Sequence, residues 1–298
     1  MIYDLIIIGM GPGGMSAAIY AKRNGLNVLL LEKNMPGGIT NYTSEVDNYL
    51  GMPNVKGPEL AMKFFEHIKS LEIPYKLKEV TNIIDEGKTK KIMTKDEEFI
   101  CKKIIVATGR SPKLLGLPNE IELSGKGISR CALCDGMFYK DKVVAVIGGG
   151  NSALEESIHL AKLCSKVYLI HRRDEFRAEA TIQDRIKEKE NIEIIYNTEV
   201  IKINEENGRL KSVTLSNNEE LKTSGLFIYI GYNPNTEVLK DVVAIDENGY
   251  IEVDERYETT VKGIYAIGDI ILKDYYQIII AASEGAKAAI NISNELNG

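Results

Sequence analysis

Cys131-Ala132-Leu133-Cys134-Asp135-Gly136 is the stretch of this chain with the most chemistry in the fewest residues. Two cysteines with two residues between them can close a small disulfide. A CxxC pair has three ordinary uses. Half a zinc site needs two further ligands, but Cys101 and Cys164 stand alone in apolar surroundings and His67, His159 and His171 have no ligand spacing. A pair of inert buried thiols is the plain alternative. A redox dithiol is favoured because the pair lies between two dinucleotide-binding fingerprints. That placement suggests electrons passing from a nicotinamide, through a flavin, to a disulfide. Asp135 then either caps a turn or exchanges a proton with a thiolate, and the second role fits the redox reading.

The first fingerprint opens the chain. Residues 3–8 form a short Ile-rich run that reads as a buried parallel strand. Gly9, Gly11 and Gly14 then fill GxGxxG, with Pro12 inside the motif, and residues 15–24 read as a helix. Such a turn lets the backbone approach a pyrophosphate and points a helix N-terminus at the anion. The next strand, 27–31, ends at Glu32, which lies 23 residues after Gly9 and suits the hydroxyl pair of a ribose. The loop 36–53 is rich in glycine and polar residues; it reads either as a solvated crossover or as a flavin contact through its amides, at Gly38, and through Asn48. Residues 63–70 look helical and 76–107 look like an antiparallel excursion ending in a strand. That strand runs into Ala107-Thr108-Gly109, and a later one, 263–267, runs into Gly268-Asp269. Asp269 can cap a following helix or hydrogen-bond the ribityl chain of a flavin.

The second fingerprint begins 139 residues after the first. An apolar strand at 143–147 precedes Gly148-Gly149-Gly150-Asn151-Ser152-Ala153, in which Gly148, Gly150 and Ala153 fill GxGxxA and 154–163 continue as a helix. Here the following strand, 166–170, ends not in an acid but in His171-Arg172-Arg173, with Arg177 further on. Arg172 lies 24 residues after Gly148, within one position of the Glu32 offset. Arginine there holds a 2′-phosphate that glutamate would repel, whereas the bland reading is an exposed basic helix start. The contrast between modules fits FAD in the first and NADPH in the second. Strands and turns at 189–216 and a last strand at 225–231 close the second module, and 231–235 reads as the way back.

The chain is therefore expected to be α/β, with two doubly wound Rossmann-like domains. Residues 1–113 and 241–298 make the FAD domain, and 114–240 make an inserted NADPH domain carrying the CxxC. One module cannot present both a disulfide and a nicotinamide to the same flavin, so a rotation between domains is expected, hinged near 113–117 and 232–234. At 298 residues there is room for two cores, and 44% hydrophobic with 27% charged residues is ordinary for a globular protein. A net charge of −6 gives a nucleic-acid partner no support. No basic leader precedes the short apolar start, and no run nears the roughly 18 apolar residues of a membrane helix. A cytoplasmic protein without a membrane partner is expected, in a compartment where structural disulfides are rare.

CALCDG, the two fingerprints, GGGNSA with HRRDEFR, ATG and the final GD together resemble the low-molecular-weight NADPH-dependent thioredoxin reductases, over essentially the whole chain. The resemblance implies a homodimeric flavoprotein that passes hydride from NADPH to FAD, reduces the Cys131–Cys134 disulfide and exchanges dithiol for disulfide with thioredoxin. It implies that Cys134 faces the flavin, Cys131 attacks the partner, Asp135 is the acid–base group and Gln277 lies at the flavin. Leu133 stands where members usually have threonine, Ile39 where they have glutamine, and Tyr276 where they have arginine before the glutamine. Losing that arginine could alter flavin potential, stacking or domain orientation. Rival readings are a flavin enzyme of the same build using NADH or ferredoxin, one serving another thioredoxin-like acceptor, and a non-enzymatic redox sensor. A ferredoxin–NADP reductase needs no CxxC, and an NADH-driven peroxide-system reductase would carry a further N-terminal redox domain.

Overall fold

The computed structural model describes residues 1–43 and 46–298; Ser44 and Glu45, within the expected 36–53 loop, lie outside the described residues. The chain forms two compact units, one of Met1–Asn41, Tyr49–Ser111 and Tyr232–Gly298, the other of Tyr42–Asn48 and Pro112–Gly231. Residues 232–240, expected with the second domain, group with the first. Tyr232–Pro234 pairs with Arg110–Pro112, and Leu239 is buried among residues of the first unit's sheet. An edge pairing and one buried leucine outweigh sequence proximity to the inserted module.

In the first unit the strand Ile2–Ile8 lies between Val28–Glu32 and Glu98–Val106, parallel to both. Tyr75–Leu77 extends the sheet beyond Val28–Glu32, and Ile264–Ala266 pairs in parallel with the far half of Glu98–Val106. Both faces of this sheet are covered, which is why Leu5, Ile6 and Ile7 are all fully buried and the strand reads as continuous apolar sequence. Side chains alternate between two cores. Leu5, Ile7, Leu30 and Ile105 face alanines of the helices Pro12–Arg23 and Ile278–Asn297. Ile6, Leu29, Ile104 and Val106 cluster with Ile83, Ile92 and Ile264 of the same sheet and with Leu239. The antiparallel excursion is the hairpin Val80–Asp85 and Lys90–Thr94, which pairs with the start of Glu98–Val106.

In the second unit five parallel strands run in the order Ile192–Ile195, Lys166–Ile170, Val143–Gly148, Gly225–Tyr229, Ile128–Ser129. The helix Asn151–Ala161 packs on Val144, Val146, Val167 and Leu169. A three-stranded antiparallel sheet, Val200–Glu206, Arg209–Leu215 and Glu220–Lys222, covers the other face through Ile203, Leu210 and Val213. The helix Ala180–Lys187 carries only two buried positions, Ile182 and Ile186, too sparse a pattern to stand out in sequence. Among the described residues no helix is long and apolar enough to cross a membrane, and no cluster of three or more His, Cys, Asp or Glu could hold a metal.

Candidate active site

The redox pair is delivered by the short edge strand Ile128–Ser129, held in register by Leu226 and Phe227 of the neighbouring strand. One residue beyond Arg130, Cys131 begins the single-turn helix Ala132–Asp135. Its sulfur is bonded to that of Cys134 at 2.09 Å and accepts the Cys134 amide at 3.2 Å. Tyr229, from the strand Gly225–Tyr229, accepts the Ala132 amide on its hydroxyl at 2.6 Å, and the buried Glu120 binds Arg130 at 2.7 Å. Two adjacent strands and an ion pair thus fix the turn. Asp135 is the last residue of the turn and is buried. Its Oδ2 accepts the Ser129 hydroxyl at 2.6 Å, while Ser129 Oγ accepts the Cys131 amide at 3.1 Å. The charge of Asp135 adds to burial in pushing the Tyr139 phenol up to about 12.

The other two cysteines are unlike this pair. Cys101 and Cys164 are buried, and burial pushes their thiols up to about 12 and about 11, so both stay protonated at neutral pH.

In the first unit the structure gathers Gly9, Gly11, Gly14, Glu32, Gly38, Thr108 and Gly109 into one place. Gly9 has φ +104 and a Cβ there would lie 2.4 Å from the Ala107 carbonyl oxygen; one on Gly14 would lie 2.0 Å from that of Gly9. These two glycines are required by packing. A Cβ on Gly11 would meet nothing within 4 Å, so that side of the loop is open to an incoming group. Gly38 rests against the Gly11 Cα. The helix behind the loop starts at Pro12 with no side-chain cap and no acid in its first turn, leaving its amides free for a pyrophosphate. Glu32 accepts the Met10 amide at 2.7 Å through Oε2 and the Asn34 amide at 2.9 Å through Oε1, which aims the carboxylate and leaves lone pairs for a hydroxyl pair. These residues fit a dinucleotide with an unphosphorylated ribose.

Asn235 closes the Thr108-Gly109 turn. Its carbonyl accepts the Thr108 hydroxyl at 2.8 Å, its side-chain amide donates to the Thr108 carbonyl at 2.9 Å and its own N–H donates to Gly109 O at 2.9 Å. Gly268-Asp269 does not head a helix: the pair forms a single 3₁₀ turn, Gly268–Ile270, and the long helix starts only at Ile278 after the N-cap Gln277. The buried Glu284 from that helix accepts the Gly268 amide at 2.8 Å and binds Lys273 Nζ at 2.8 Å, so helix and turn are locked. Burial raises the Asp269 carboxyl, and Arg110 and Lys273 pull it back. Arg110 Nε lies 3.4 Å from Asp269 Oδ2, and its guanidinium is sandwiched between Tyr276 at 3.6 Å and Tyr232 at 3.8 Å. A cation therefore stands on Tyr276, though it comes from position 110. The sequence pointed to this corner through Thr108, Gly109, Asp269 and Tyr276 but not to Arg110, Asn235 or Glu284, which complete it.

In the second unit a Cβ on Gly148 would lie 2.5 Å from the Ala153 Cβ and 2.6 Å from the Tyr229 carbonyl oxygen, while one on Gly150 would meet nothing within 4 Å. The pattern repeats that of Gly9 and Gly11. The helix from Asn151 again has no side-chain cap, and Ser152 is exposed in its first turn. Asn151 instead exchanges two hydrogen bonds of 2.9 Å with Glu179. His171 is buried with its ring against Gly149, and Nε2 is 2.9 Å from the Glu175 carbonyl. It props the loop from beneath. Arg172, Arg173 and Arg177 are exposed with no ion pair among the described residues, and the Arg177 amide donates to the Gly149 carbonyl at 2.8 Å. Asn48 is exposed in the segment Tyr42–Asn48 that groups with this unit.

A model of the pyridine nucleotide-disulphide oxidoreductase family matches residues 3–286. A thioredoxin reductase of Bacillus subtilis is 41% identical over 98% of this chain and 94% of its own length. The crystal structure of thioredoxin reductase from Streptococcus pyogenes is 37% identical and covers 99% of this chain and 98% of its own, with a TM-score of 0.94. A ferredoxin-flavin thioredoxin reductase from Clostridium acetobutylicum is 31% identical over 99% of this chain and 98% of its own, with a TM-score of 0.55. The chain is an oxidoreductase of the pyridine nucleotide-disulphide oxidoreductase family, and it belongs within that family to the thioredoxin reductases.

Proposed function

We propose that this protein is an NADPH-dependent thioredoxin-disulfide reductase that works as a cytoplasmic homodimer. The observation that carries the reading is the Cys131–Cys134 disulfide with a buried carboxylate beside it, on the same unit as a dinucleotide loop flanked by three exposed arginines. Bound FAD and NADPH supply the two-electron chemistry, the flavin relaying an electron pair from the nicotinamide to the disulfide. The first unit, residues 1–41, 49–111 and 232–298, holds the FAD: Gly9, Gly11, Pro12 and Gly14 at the pyrophosphate, Glu32 at the ribose, and Gly38, Thr108, Gly109, Gly268, Asp269 and Gln277 around the rest. The second unit, through residues 112–231, holds the NADPH: Gly148, Gly150, Asn151, Ser152 and Ala153 at the pyrophosphate, and Arg172, Arg173 and Arg177 at the 2′-phosphate, with His171 shaping the loop.

The thiol chemistry balances on the chain's own groups. Two electrons and two protons open the Cys131–Cys134 bond. Asp135 takes the proton of the Cys131 thiol, the resulting thiolate attacks one sulfur of the partner's disulfide to form a mixed disulfide, and the expelled thiolate takes that proton back from Asp135. Cys134 then attacks Cys131, restoring the internal disulfide and releasing the second partner thiol. Rotation between the two units during turnover, hinged near residues 113–117 and 232–234, presents the nicotinamide and the disulfide in turn. A ferredoxin donor is the second reading, favoured by the 31% identity to a ferredoxin-dependent relative; the arginine set favours NADPH.

The test is a trapped intermediate. Cys134→Ser, reduced and mixed with oxidised thioredoxin, is expected to accumulate a covalent adduct that dithiothreitol releases, and Cys131→Ser is expected to form none. An adduct through Cys134 alone, or none with either variant, would overturn the assignment of roles.

A further inference from the structure

Ser129 is a hydroxyl at the end of a strand, only 4% exposed. A buried hydroxyl without partners is costly, so its bonds reveal what the position is for. It has one proton to give and two acceptors in reach, Asp135 Oδ2 at 2.6 Å and the Cys131 carbonyl at 3.4 Å. The short distance to the carboxylate assigns the proton to Asp135. The same oxygen receives the Cys131 amide at 3.1 Å, so one side chain joins the backbone of the first cysteine to the buried acid. The strand register places Ser129 opposite Phe227, which is fully buried, so the hydroxyl has a fixed origin.

We infer that Ser129 is the positioning residue for Asp135, tying the carboxylate through its own hydroxyl to the Cys131 amide so that Asp135 can hand a proton to the sulfur that leaves. The inference rests on the dithiol-exchange reading above. With Asp135 ionised, the Ser129 hydroxyl donates to it. Once Asp135 carries a proton, that proton can turn to Ser129 Oγ and the hydroxyl can swing to the Cys131 carbonyl, so both states of the acid are satisfied without moving the turn. A hydrogen bond donated to a carboxylate favours its charged form. The Tyr139 phenol is pushed up to about 12, and His159, whose ring lies near Gly136, is held toward its neutral form by burial. Tyr229 is engaged with the Ala132 amide, and Arg130 with Glu120.

The measurement is the titration of the Asp135 carboxyl in the oxidised, FAD-loaded protein, followed by NMR with ¹³C at the aspartate carboxyl and assigned by its absence in Asp135→Asn. Ser129→Ala is expected to raise the midpoint by about one pH unit, and Ser129→Thr, which restores a hydroxyl, is expected to return it to the wild-type value. A midpoint that does not move in Ser129→Ala would overturn the inference. The kinetic companion is single-turnover exchange of the reduced protein with oxidised thioredoxin. Ser129→Ala is expected to slow it about tenfold at pH 7, and to add less than twofold in an Asp135→Asn background. Equal slowing in both backgrounds would show that Ser129 acts apart from Asp135. Wild-type protein that fails to exchange with thioredoxin would refute the acceptor, while the carboxyl titration still decides the role of Ser129.

Discussion

Glu156, on the helix behind the second dinucleotide loop, is the residue whose titration is most exposed to measurement. Its Oε2 is buried with no hydrogen-bond partner among the described residues, and burial with the neighbouring Glu155 charge pushes the carboxyl up to about 7. An acid whose folded-state value is raised costs stability where it is charged. That cost is full above pH 7 and disappears as pH falls toward the unfolded-state value near 4.5. Glu156→Gln is expected to be more stable than wild type by about 2–3 kcal/mol at pH 8, with the gap closing by pH 4.5. Urea unfolding at both pH values checks this, and a gap independent of pH would contradict it. Single residues were legible in the sequence where a motif numbered them. The offset of Glu32 from Gly9 was enough to place it at its loop, where it accepts the Met10 amide. Arg110 was not legible because its meaning comes from Tyr232, Asp269 and Tyr276, all more than 120 positions away. Ser129 was equally silent, since a serine two residues before a cysteine has many uses.

At the scale of elements, each dinucleotide loop divides its glycines between two tasks. Gly14 is where the helix meets the strand end, and a methyl there collides with backbone 2.0 Å away. Gly11 is in an extended conformation, φ −76 and ψ −179, that alanine adopts freely, and a methyl there points into open space. Gly11→Ala is therefore expected to fold with an unchanged thermal midpoint while losing FAD affinity by about tenfold, because the methyl fills the approach of the pyrophosphate. Gly14→Ala is expected to cost about 1–3 kcal/mol of stability as an overpacked contact. Flavin retention on dialysis, read beside thermal unfolding, separates the two. Wild-type flavin affinity in a folded Gly11→Ala would contradict the division. Gly285 shows the same logic between helices, since a Cβ there would lie 2.1 Å from the Gly13 carbonyl oxygen. The strands and the two motif helices were legible from glycine-bounded apolar runs. The helix Ala180–Lys187 and the late start of Ile278–Asn297 were not, because two buried positions give little periodicity and Asp269 imitates a helix cap.

For the whole molecule, the two units carry separate cores, with an acid after the second strand of one dinucleotide motif and exposed arginines at the matching place in the other. The net charge of −6 makes those arginines a local exception. The order of fingerprints, CxxC and closing Gly-Asp made the architecture readable from sequence, while the points where the chain changes unit depended on pairing between residues near 111 and near 232. The central claim is an electron path from NADPH through a flavin to Cys131–Cys134 and on to thioredoxin. The measurement that tests it most directly is anaerobic flavin absorbance of the purified, FAD-loaded protein, mixed first with NADPH or NADH and then with oxidised thioredoxin. Rapid bleaching by NADPH, at least tenfold slower bleaching by NADH, and recovery of colour on adding thioredoxin are the predicted result, with recovery lost in Cys131→Ser. No bleaching by either nucleotide, with bleaching by reduced ferredoxin, would contradict the account and turn attention to Arg110 and Tyr276.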